Sequence, residues 1–335
     1  MTRLGIRGLE APDQALEEEL RDRLAEVERS LEKAVRSDTE FITEAASYLL
    51  AAGGKRFRPL LVLLSGYFGD PSDPRLTLGA TAIEITHLAT LYHDDVIDEA
   101  QTRRGRRSVN ARWDNTVAIL TGDFLFARAS EISSDLGTEV TRLLARTITI
   151  VCDGQLREVA GSGRLDLQSE RSYMETIRRK TASLIATSCR LGGMLSDADP
   201  DVVERLDDFG MALGLGFQLS DDIMDIISTE EELRKQPGQD MREGVYTLPV
   251  LYALEDGEAG EELGALLAEG PPDDEGSRRA LELLRSDGSL RRAREAVTKE
   301  VRRAQQLAEG LEDGSARRAM LHIAEFIAER CGASS

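Results

Sequence analysis

Apolar residues recur along most of the chain at the three- and four-residue spacing of helices. In the first segment, Leu16, Leu20, Leu24, Val27 and Leu31 are interspersed with Glu and Arg. This pattern predicts an amphipathic helix with one apolar face. No segment shows convincing strand alternation. The same reasoning predicts helices at about 41–51, 58–68, 76–99, 109–135, 137–160, 170–195, 200–228 and 246–255, and three more between 276 and 330.

Glycine and proline mark the breaks between these segments, as in Gly53-Gly54, Asp199-Pro200 and Pro271-Pro272. No fixed-period repeat and no low-complexity linker divides the chain. We therefore predict one large all-α domain at 41–335, preceded by a helical extension at 1–40. Residues 256–277 are rich in Glu, Asp, Gly and Pro, which predicts a mobile acidic loop.

Composition narrows the class of protein. Hydrophobic residues make up 41% of the 335 residues, enough for a large core, and the net charge of −19 argues against a nucleic-acid binder. No apolar stretch approaches the ~20 residues that cross a bilayer. The three cysteines, Cys152, Cys189 and Cys331, form no C-x-x-C pair, which suits a reducing compartment. A cytoplasmic location is expected.

Candidate chemistry is concentrated in a row of aspartates, Asp94, Asp95 and Asp98, at the end of an apolar helical run. At ~100° per residue, Asp94 and Asp98 lie one turn apart on the same helix face. Carboxylates this close repel one another unless a cation balances them. A single D-D-x-x-D could be a solvated acidic face.

The same spacing returns in a second apolar helix, as Asp221, Asp222 and Asp225. Carboxylate oxygens suit magnesium, which keeps several waters and is commonly shared with substrate phosphates. Two such motifs in similar helical settings indicate a magnesium-dependent site.

Cations accompany both acidic motifs. Lys55, Arg56 and Arg58 follow Gly53-Gly54, where the backbone can approach an anion closely. Arginine binds phosphate oxygens in a bidentate manner, while lysine acts as a compact charge. The further cations near the motifs are Arg103, Arg104, Lys180 and Lys235. Together they predict a diphosphate site.

From about residue 40 the chain resembles the trans-type polyprenyl diphosphate synthases. The motifs that carry this resemblance occur in that family's order, and their combination is specific. They are Gly53–Pro59, His87, the first aspartate motif with Arg103-Arg104, Gly122-Asp123, Gly154-Gln155, Lys180-Thr181, and Phe217-Gln218 before the second motif.

The resemblance implies a single helical bundle of the isoprenoid synthase type around a central apolar cavity. It further implies a homodimer that uses Mg²⁺ to condense isopentenyl diphosphate with an allylic diphosphate, with at most transient membrane contact for product release. By this analogy, Lys55, Arg58, His87 and Arg104 bind isopentenyl diphosphate, and Arg103, Lys180 and Lys235 contact the allylic diphosphate. Asp94, Asp98 and Asp221 bind metal, Asp95, Asp222 and Asp225 assist, and Lys180, Thr181 and Gln218 are the catalytic residues.

One position departs from the family pattern, and another bears on product length. Val245 occupies a position where the family often has lysine, which removes one expected diphosphate contact. Ala89 lies five residues before Asp94, roughly 7 Å along the helix. A small residue there predicts an open pocket and a medium or long product, although Ala89 could simply serve helix packing.

Three alternatives remain open. A short-chain farnesyl or geranylgeranyl diphosphate synthase would share every motif. A class I terpene cyclase is disfavoured, because the second motif repeats D-D-x-x-D and aromatic residues make up only 4% of the chain. A non-catalytic subunit of a heteromeric synthase would be expected to lose aspartates or cations, and both acidic motifs are intact.

Overall fold

The computed structural model describes residues 13–229, 231, 236–255, 257–286 and 288–333. The elements in chain order are α1 (Gln14–Ala34), α2 (Glu40–Ala51), α3 (Phe57–Ser65), α4 (Arg75–Ile97), β1 (Thr102–Arg103), β2 (Arg106–Arg107), α5 (Val109–Arg112), α6 (Asn115–Asp135), α7 (Thr138–Gly161), α8 (Glu170–Ile177), α9 (Ser183–Leu195), α10 (Pro200–Ile227), α11 (Gln239–Arg242), α12 (Leu248–Ala253), α13 (Gly257–Leu267), α14 (Asp274–Ser286), α15 (Ser289–Glu309) and α16 (Ser315–Arg330).

The described residues confirm the all-α prediction, and most predicted helices match within two or three residues. The segment predicted at 109–135 is interrupted, because the Asp114 side chain accepts a hydrogen bond from the Val117 amide at 2.8 Å and starts a new helix. The predicted helix at 170–195 is also modified. It contains a π-helical segment, Arg178–Ala182, between α8 and α9.

One local prediction is wrong, and one element was not predicted. The segment 256–277 is not a loop throughout, because α13 forms within it and buries Leu263 and Leu267, which lie four residues apart on one face. The sequence also gave no sign of the short hairpin β1–β2, in which Thr102 pairs with Arg107 and Arg103 with Arg106. With two residues per strand, this hairpin is too short to show a period of two.

The helices are arranged in two compact units. The first unit comprises the chain up to Ile148, Leu184–Gly210 and Leu307–His322, and the second comprises Thr149–Ser183, Met211–Gln306 and the chain from Ile323. The predicted division at residue 40 stays a prediction.

In the first unit, α1 packs against α3 and α4. Its apolar face is buried as the periodicity predicts, with Leu16, Leu20, Val27 and Leu31 almost inaccessible. Tyr92 joins α4 to α2, because its hydroxyl donates to the Ala45 carbonyl at 2.6 Å. These contacts fix the helix that carries the first aspartate motif.

In the second unit, the C-terminal helices α15 and α16 bury Val301 and Ile327, and both lie within 4 Å of where a side chain at Gly216 of α10 would begin. Cys331 is buried here and Cys152 is exposed, while Cys189 is buried in the first unit. None of the three forms a disulfide. Across the described part of the chain, no helix combines the length and apolar character needed to span a membrane.

Candidate active site

The first aspartate motif lies at the C-terminal end of α4. Asp98 caps this helix, and its amide donates to the Asp94 carbonyl at 2.8 Å, so the two residues are one turn apart as predicted. Asp95 is fully buried, and its Oδ1 accepts a hydrogen bond from Arg103 Nε at 2.6 Å. Burial raises the pKa of Asp95, and the Arg103 charge opposes that rise.

The hairpin after α4 positions two of the predicted cations. Its two-residue turn is Arg104-Gly105, and both residues have positive φ, 53° and 74°. This is the geometry of a type I′ turn, in which glycine is favoured at the second position. The turn places Arg103 beside Asp95, while Arg104 donates to the Leu49 carbonyl at 3.0 Å and to the Gly53 carbonyl.

The glycine pair between α2 and α3 makes room for arginine side chains. A Cβ atom at Gly54 would lie 2.6 Å from Arg56 Nη1 and 3.2 Å from the Arg104 guanidinium nitrogens. Glycine therefore allows both arginines to lie against the backbone. Lys55, next in the chain, is exposed to solvent.

Arg56 connects this loop to two helices. It starts α3 with a left-handed backbone, φ 47°, and its side chain is buried. Its guanidinium bonds Glu28 of α1, with Nη2 at 3.2 Å from Oε2, and Glu84 of α4, with Nη1 at 3.2 Å from Oε1. A buried arginine between two carboxylates fixes both the loop that presents Lys55 and the start of α3, which carries Arg58.

His87 lies within a field of positive charge. Its side chain is half-buried on α4, and burial together with nearby guanidinium groups holds its pKa well below 6.5. The imidazole is therefore neutral, able to donate from one nitrogen and accept at the other. The cations that act on it, strongest first, are Arg58, Arg104, Arg103 and Arg56. Such a concentration of arginines around a neutral hydrogen-bonding group suits an anion with several oxygens.

The second unit holds the predicted catalytic residues on a π-helical segment. Lys180 and Thr181 belong to Arg178–Ala182, and such segments often occur at functional sites. Two glycines let neighbouring helices approach it. A Cβ at Gly154 of α7 would lie 2.5 Å from the Lys180 amide nitrogen, and one at Gly214 of α10 would lie 2.6 Å from Ala182 Cα.

Hydrogen bonds connect these residues to the second aspartate motif. Lys180 forms an ion pair with Glu158 of α7. Thr181 Oγ1 donates to Gln218 Oε1 at 2.8 Å, and Gln218 Nε2 donates to Asp222 Oδ1 at 2.8 Å. Tyr173 of α8 donates its hydroxyl proton to the other oxygen of Asp222, Oδ2.

The three aspartates of the second motif have different surroundings. Asp221 is partly exposed and pairs with Arg330 near the end of the chain. Asp222 is only 2% exposed, and burial raises its pKa to about 7. Asp225 accepts from the Asp240 amide at 3.3 Å and so helps to hold α11. Asp221 is therefore the member of this motif whose carboxylate reaches solvent.

The donor set fits a divalent metal that is completed by substrate. Within the ranges that the structure describes, no three His, Cys, Asp or Glu side chains converge to form a metal site of their own. Asp95 Oδ2 is buried without a hydrogen-bond partner there, and Asp94 and Asp98 are partly exposed. Magnesium commonly binds one or two carboxylates and takes its other ligands from water and substrate phosphates.

The structure thus groups the predicted residues into two sets. The first unit contains Lys55, Arg58, His87, Arg103, Arg104, Asp94, Asp95 and Asp98, and the second contains Lys180, Thr181, Gln218, Asp221, Asp222 and Asp225. Lys235 lies outside the described residues. Val245 is half-buried, and its amide donates to the Asp240 carbonyl at 2.8 Å.

Sequence reasoning missed three residues that contact these sets, and it gave Arg56 no role beyond that of one cation after the glycine pair. Tyr173, Glu158 and Arg330 contact Asp222, Lys180 and Asp221 respectively. Only Tyr173 had a local signal, because it lies seven residues, about two helical turns, before Lys180.

Comparison with known proteins agrees with this assignment. The family model for polyprenyl synthetase matches residues 39–284. The nonaprenyl diphosphate synthase of Mycobacterium tuberculosis is 42% identical over 330 residues, covering 98% of each chain. The heptaprenyl diphosphate synthase component 2 of Geobacillus stearothermophilus is 42% identical over 313 residues, covering 93% of this chain and 97% of that one.

A solved structure shares both sequence and fold. The geranylgeranyl pyrophosphate synthase of Corynebacterium glutamicum, complexed with calcium and isoprenyl diphosphate, matches with a TM-score of 0.85 and 41% identity, over 96% of this chain and 99% of that one. The all-α isoprenoid synthase fold is thus shared along nearly the whole length. The chain therefore belongs to the polyprenyl synthetase family, and it is a prenyltransferase.

Proposed function

We propose that this enzyme joins isopentenyl diphosphate head to tail with an allylic diphosphate and makes a linear trans-polyprenyl diphosphate of medium or long chain. The observation that carries this proposal is the group of arginines around neutral His87, on the helix that ends in Asp94 and Asp98. His87 and the proposed metal-binding motif lie on one helix, and the arginines act on His87 from neighbouring segments. This arrangement fits a two-substrate prenyl transfer better than a one-substrate cyclisation.

In the proposed reaction, the allylic carbon–oxygen bond breaks and its electron pair leaves with the pyrophosphate. The double bond of isopentenyl diphosphate then forms the new carbon–carbon bond with the allylic cation. A proton is finally lost to the released pyrophosphate. Lys55, Arg58, His87 and Arg104 bind isopentenyl diphosphate, and Arg103 and Lys180 contact the allylic diphosphate, as Lys235 does by resemblance.

We propose Mg²⁺ as the metal, with Asp94 and Asp98 as ligands in the first unit and Asp221 in the second. When bound, the ion supplies Lewis-acid stabilisation of the charge that accumulates on the departing pyrophosphate. Support comes from the carboxylate donors, and from the calcium and isoprenyl diphosphate named with the Corynebacterium structure. Both carboxylate oxygens of Asp222 already accept hydrogen bonds, from Tyr173 and Gln218. We therefore propose that Asp222 supports these side chains and does not bind the metal.

The medium or long product is supported by the nonaprenyl and heptaprenyl relatives and by the small side chain at Ala89. Ala89 is fully buried on α4, five residues before Asp94. The geranylgeranyl relative of similar identity makes the short-chain alternative the main competitor.

One relative is named as component 2 of a heptaprenyl diphosphate synthase. The chain should therefore be tested both alone and with a partner protein. We propose that this enzyme acts alone, as a homodimer. Large apolar side chains on α6 support self-association, because Ile119 is 43% exposed and Leu120 is 61% exposed. The absence of disulfides among the described cysteines suits the proposed cytoplasmic location, with transient membrane contact when an apolar product is released.

The proposal is tested with purified protein, Mg²⁺, labelled isopentenyl diphosphate and each allylic primer in turn. Products are sized by chromatography. A ladder that ends at seven or more isoprenoid units supports the proposal in full. A stop at three or four units keeps the reaction and rejects the chain length. No product from any primer, with turnover restored only by a second protein, would show that the chain is a subunit of a heteromeric synthase.

A further inference from the structure

A buried hydrogen-bond chain in the second unit runs from Tyr173 to Thr181. Tyr173 and Asp222 are both almost inaccessible to solvent. The Tyr173 hydroxyl donates to Asp222 Oδ2, Gln218 Nε2 donates to Asp222 Oδ1, and Thr181 Oγ1 donates to Gln218 Oε1. The last two bonds are both 2.8 Å long, which is good hydrogen-bond geometry.

The direction of these bonds is set at Asp222. Asp222 Oδ1 accepts from Gln218 Nε2, so the side of the Gln218 amide that faces Asp222 is its NH₂ group. The carbonyl oxygen of Gln218 consequently faces Thr181. The Tyr173 hydroxyl donates to the second carboxylate oxygen, Oδ2. Because Tyr173 is itself buried on α8, this bond fixes the orientation of the Asp222 carboxylate.

The consequence at Thr181 is a fixed hydroxyl orientation. Its proton is directed to Gln218, so the oxygen lone pairs face away from that amide. An oxygen with free lone pairs stabilises an adjacent positive charge, whereas a hydroxyl that turned its proton outward would repel it. Thr181 lies on the π-helical segment, and Gly154 and Gly214 of neighbouring helices lie close to the backbone of that segment.

We propose that Tyr173 and Asp222 are positioning residues: through the Gln218 amide they hold the Thr181 hydroxyl with its lone pairs available to the allylic cation. The inference rests on the proposed prenyl transfer and adds two residues to it. Neither Tyr173 nor Asp222 needs to touch substrate or metal for this role. Both act by removing the alternative amide orientation before the reaction starts, so that no reorganisation is needed during it.

The sharpest variant is Asp222→Asn, which keeps the shape of the side chain. Its amide oxygen can still accept from Tyr173, but its NH₂ group then faces Gln218 and favours the opposite amide orientation. Thr181 Oγ1 would then accept a hydrogen bond from the Gln218 NH₂ group instead of donating one to the Gln218 carbonyl. We expect kcat to fall by about 10- to 100-fold, the order of loss that follows misplacement of a reacting group, with KM for both substrates nearly unchanged.

A double-mutant cycle with Thr181→Val separates positioning from general damage. If Asp222 acts through Thr181, then Asp222→Asn lowers kcat in the wild-type background and adds little in the Thr181→Val background. Full additivity of the two losses would overturn the proposal. A rise in the Mg²⁺ concentration needed for half-maximal activity in Asp222→Asn would also contradict it, because that result would place Asp222 at the metal.

Tyr173→Phe provides a second test in case Asp222→Asn fails to fold. It removes one hydroxyl, and we expect kcat to fall less than in Asp222→Asn and again with little added loss in Thr181→Val. The matched control is Tyr252→Phe, which removes another tyrosine–carboxylate hydrogen bond to α8, from Tyr252 to Glu170 at 3.2 Å. Equal kcat losses in the two tyrosine variants would overturn the proposal. If the wild type itself shows no prenyl transfer, the proposed function fails, and this outcome is distinct from additivity in an active enzyme.

Discussion

Arg103 donates a hydrogen bond from Nε to Oδ1 of the fully buried Asp95, at 2.6 Å. The pair connects the hairpin β1–β2 to the end of α4. It neutralises the one aspartate of the first motif that solvent does not reach, while Asp94 and Asp98 stay partly exposed. Asp95 thus has a structural role, whereas Asp94 and Asp98 are the proposed metal ligands of this motif.

Arg103→Gln should destabilise the protein, because it leaves the Asp95 charge buried without its partner. Breaking a buried pair typically costs ~3–5 kcal/mol, and the partial exposure of Arg103 reduces our expectation to about 2–3 kcal/mol. The measurement is chemical denaturation followed by circular dichroism. Arg106→Gln, an exposed arginine in the same hairpin, is the control. Equal stability of the two variants would contradict a structural role for the pair.

Glu28→Ala should weaken isopentenyl diphosphate binding, although Glu28 lies on α1. This residue bonds Arg56, which positions the loop that carries Lys55 and the start of α3, where Arg58 lies. Because Glu28 is partly exposed, the pair contributes at most about 1 kcal/mol, and we expect KM to rise by about 2- to 5-fold. Glu26→Ala, an exposed glutamate on the same helix, should leave KM unchanged. A KM unaffected by Glu28→Ala would separate α1 from the substrate site.

His87 should make the folded protein sensitive to mild acid. Its pKa is lower in the folded state than the ordinary value of about 6.5, so the unfolded state takes up the proton first as pH falls. Folding stability contributed by the neutral imidazole is therefore present above about pH 6.5 and is lost as pH falls from there towards the folded-state pKa. The Tm of His87→Gln should fall less than that of the wild type between about pH 7.5 and about pH 5.5.

The control for that experiment is His322→Gln, which removes an imidazole on a different helix, α16. Its Tm profile should follow that of the wild type. Parallel Tm profiles for the wild type and His87→Gln would show that His87 does not carry the acid sensitivity.

Ala89→Phe should shorten the product. Ala89 is buried on α4, five residues before Asp94, and a phenyl ring there would occupy the space that we propose for the growing apolar chain. The control Ala89→Ser keeps a small side chain and should keep the wild-type product distribution. Chromatography of dephosphorylated products measures both. An unchanged distribution in an active, folded Ala89→Phe enzyme would mean that Ala89 serves helix packing alone.

The sequence predicted best what depends on local periodicity. Asp94 and Asp98 were expected one turn apart on a helix, and they are, because that spacing follows from helix geometry alone. The three C-terminal helices were expected for the same reason. The prediction for 256–277 was wrong because the Glu and Gly content of this segment is typical of a loop. Leu263 and Leu267 are nevertheless buried on one face of a helix.

Features that depend on distant residues could not be predicted. The π-helical turn at Lys180 and Thr181 is closely approached by Gly154 and Gly214, which lie in other helices. The ion pair between Asp221 and Arg330 joins residues 109 positions apart. No window of sequence contains both members of such contacts, so propensity and periodicity carry no information about them.

The most direct test of the central claim compares turnover of the wild type with Asp94→Ala and Asp221→Ala, at saturating Mg²⁺ and saturating concentrations of both substrates. Each change removes a proposed metal ligand while leaving the cations around His87 in place. We predict that the wild type forms prenyl diphosphate and that each variant loses about 10²–10³-fold in rate or more. Near-normal turnover by either folded variant would contradict the assignment of that aspartate to the reaction.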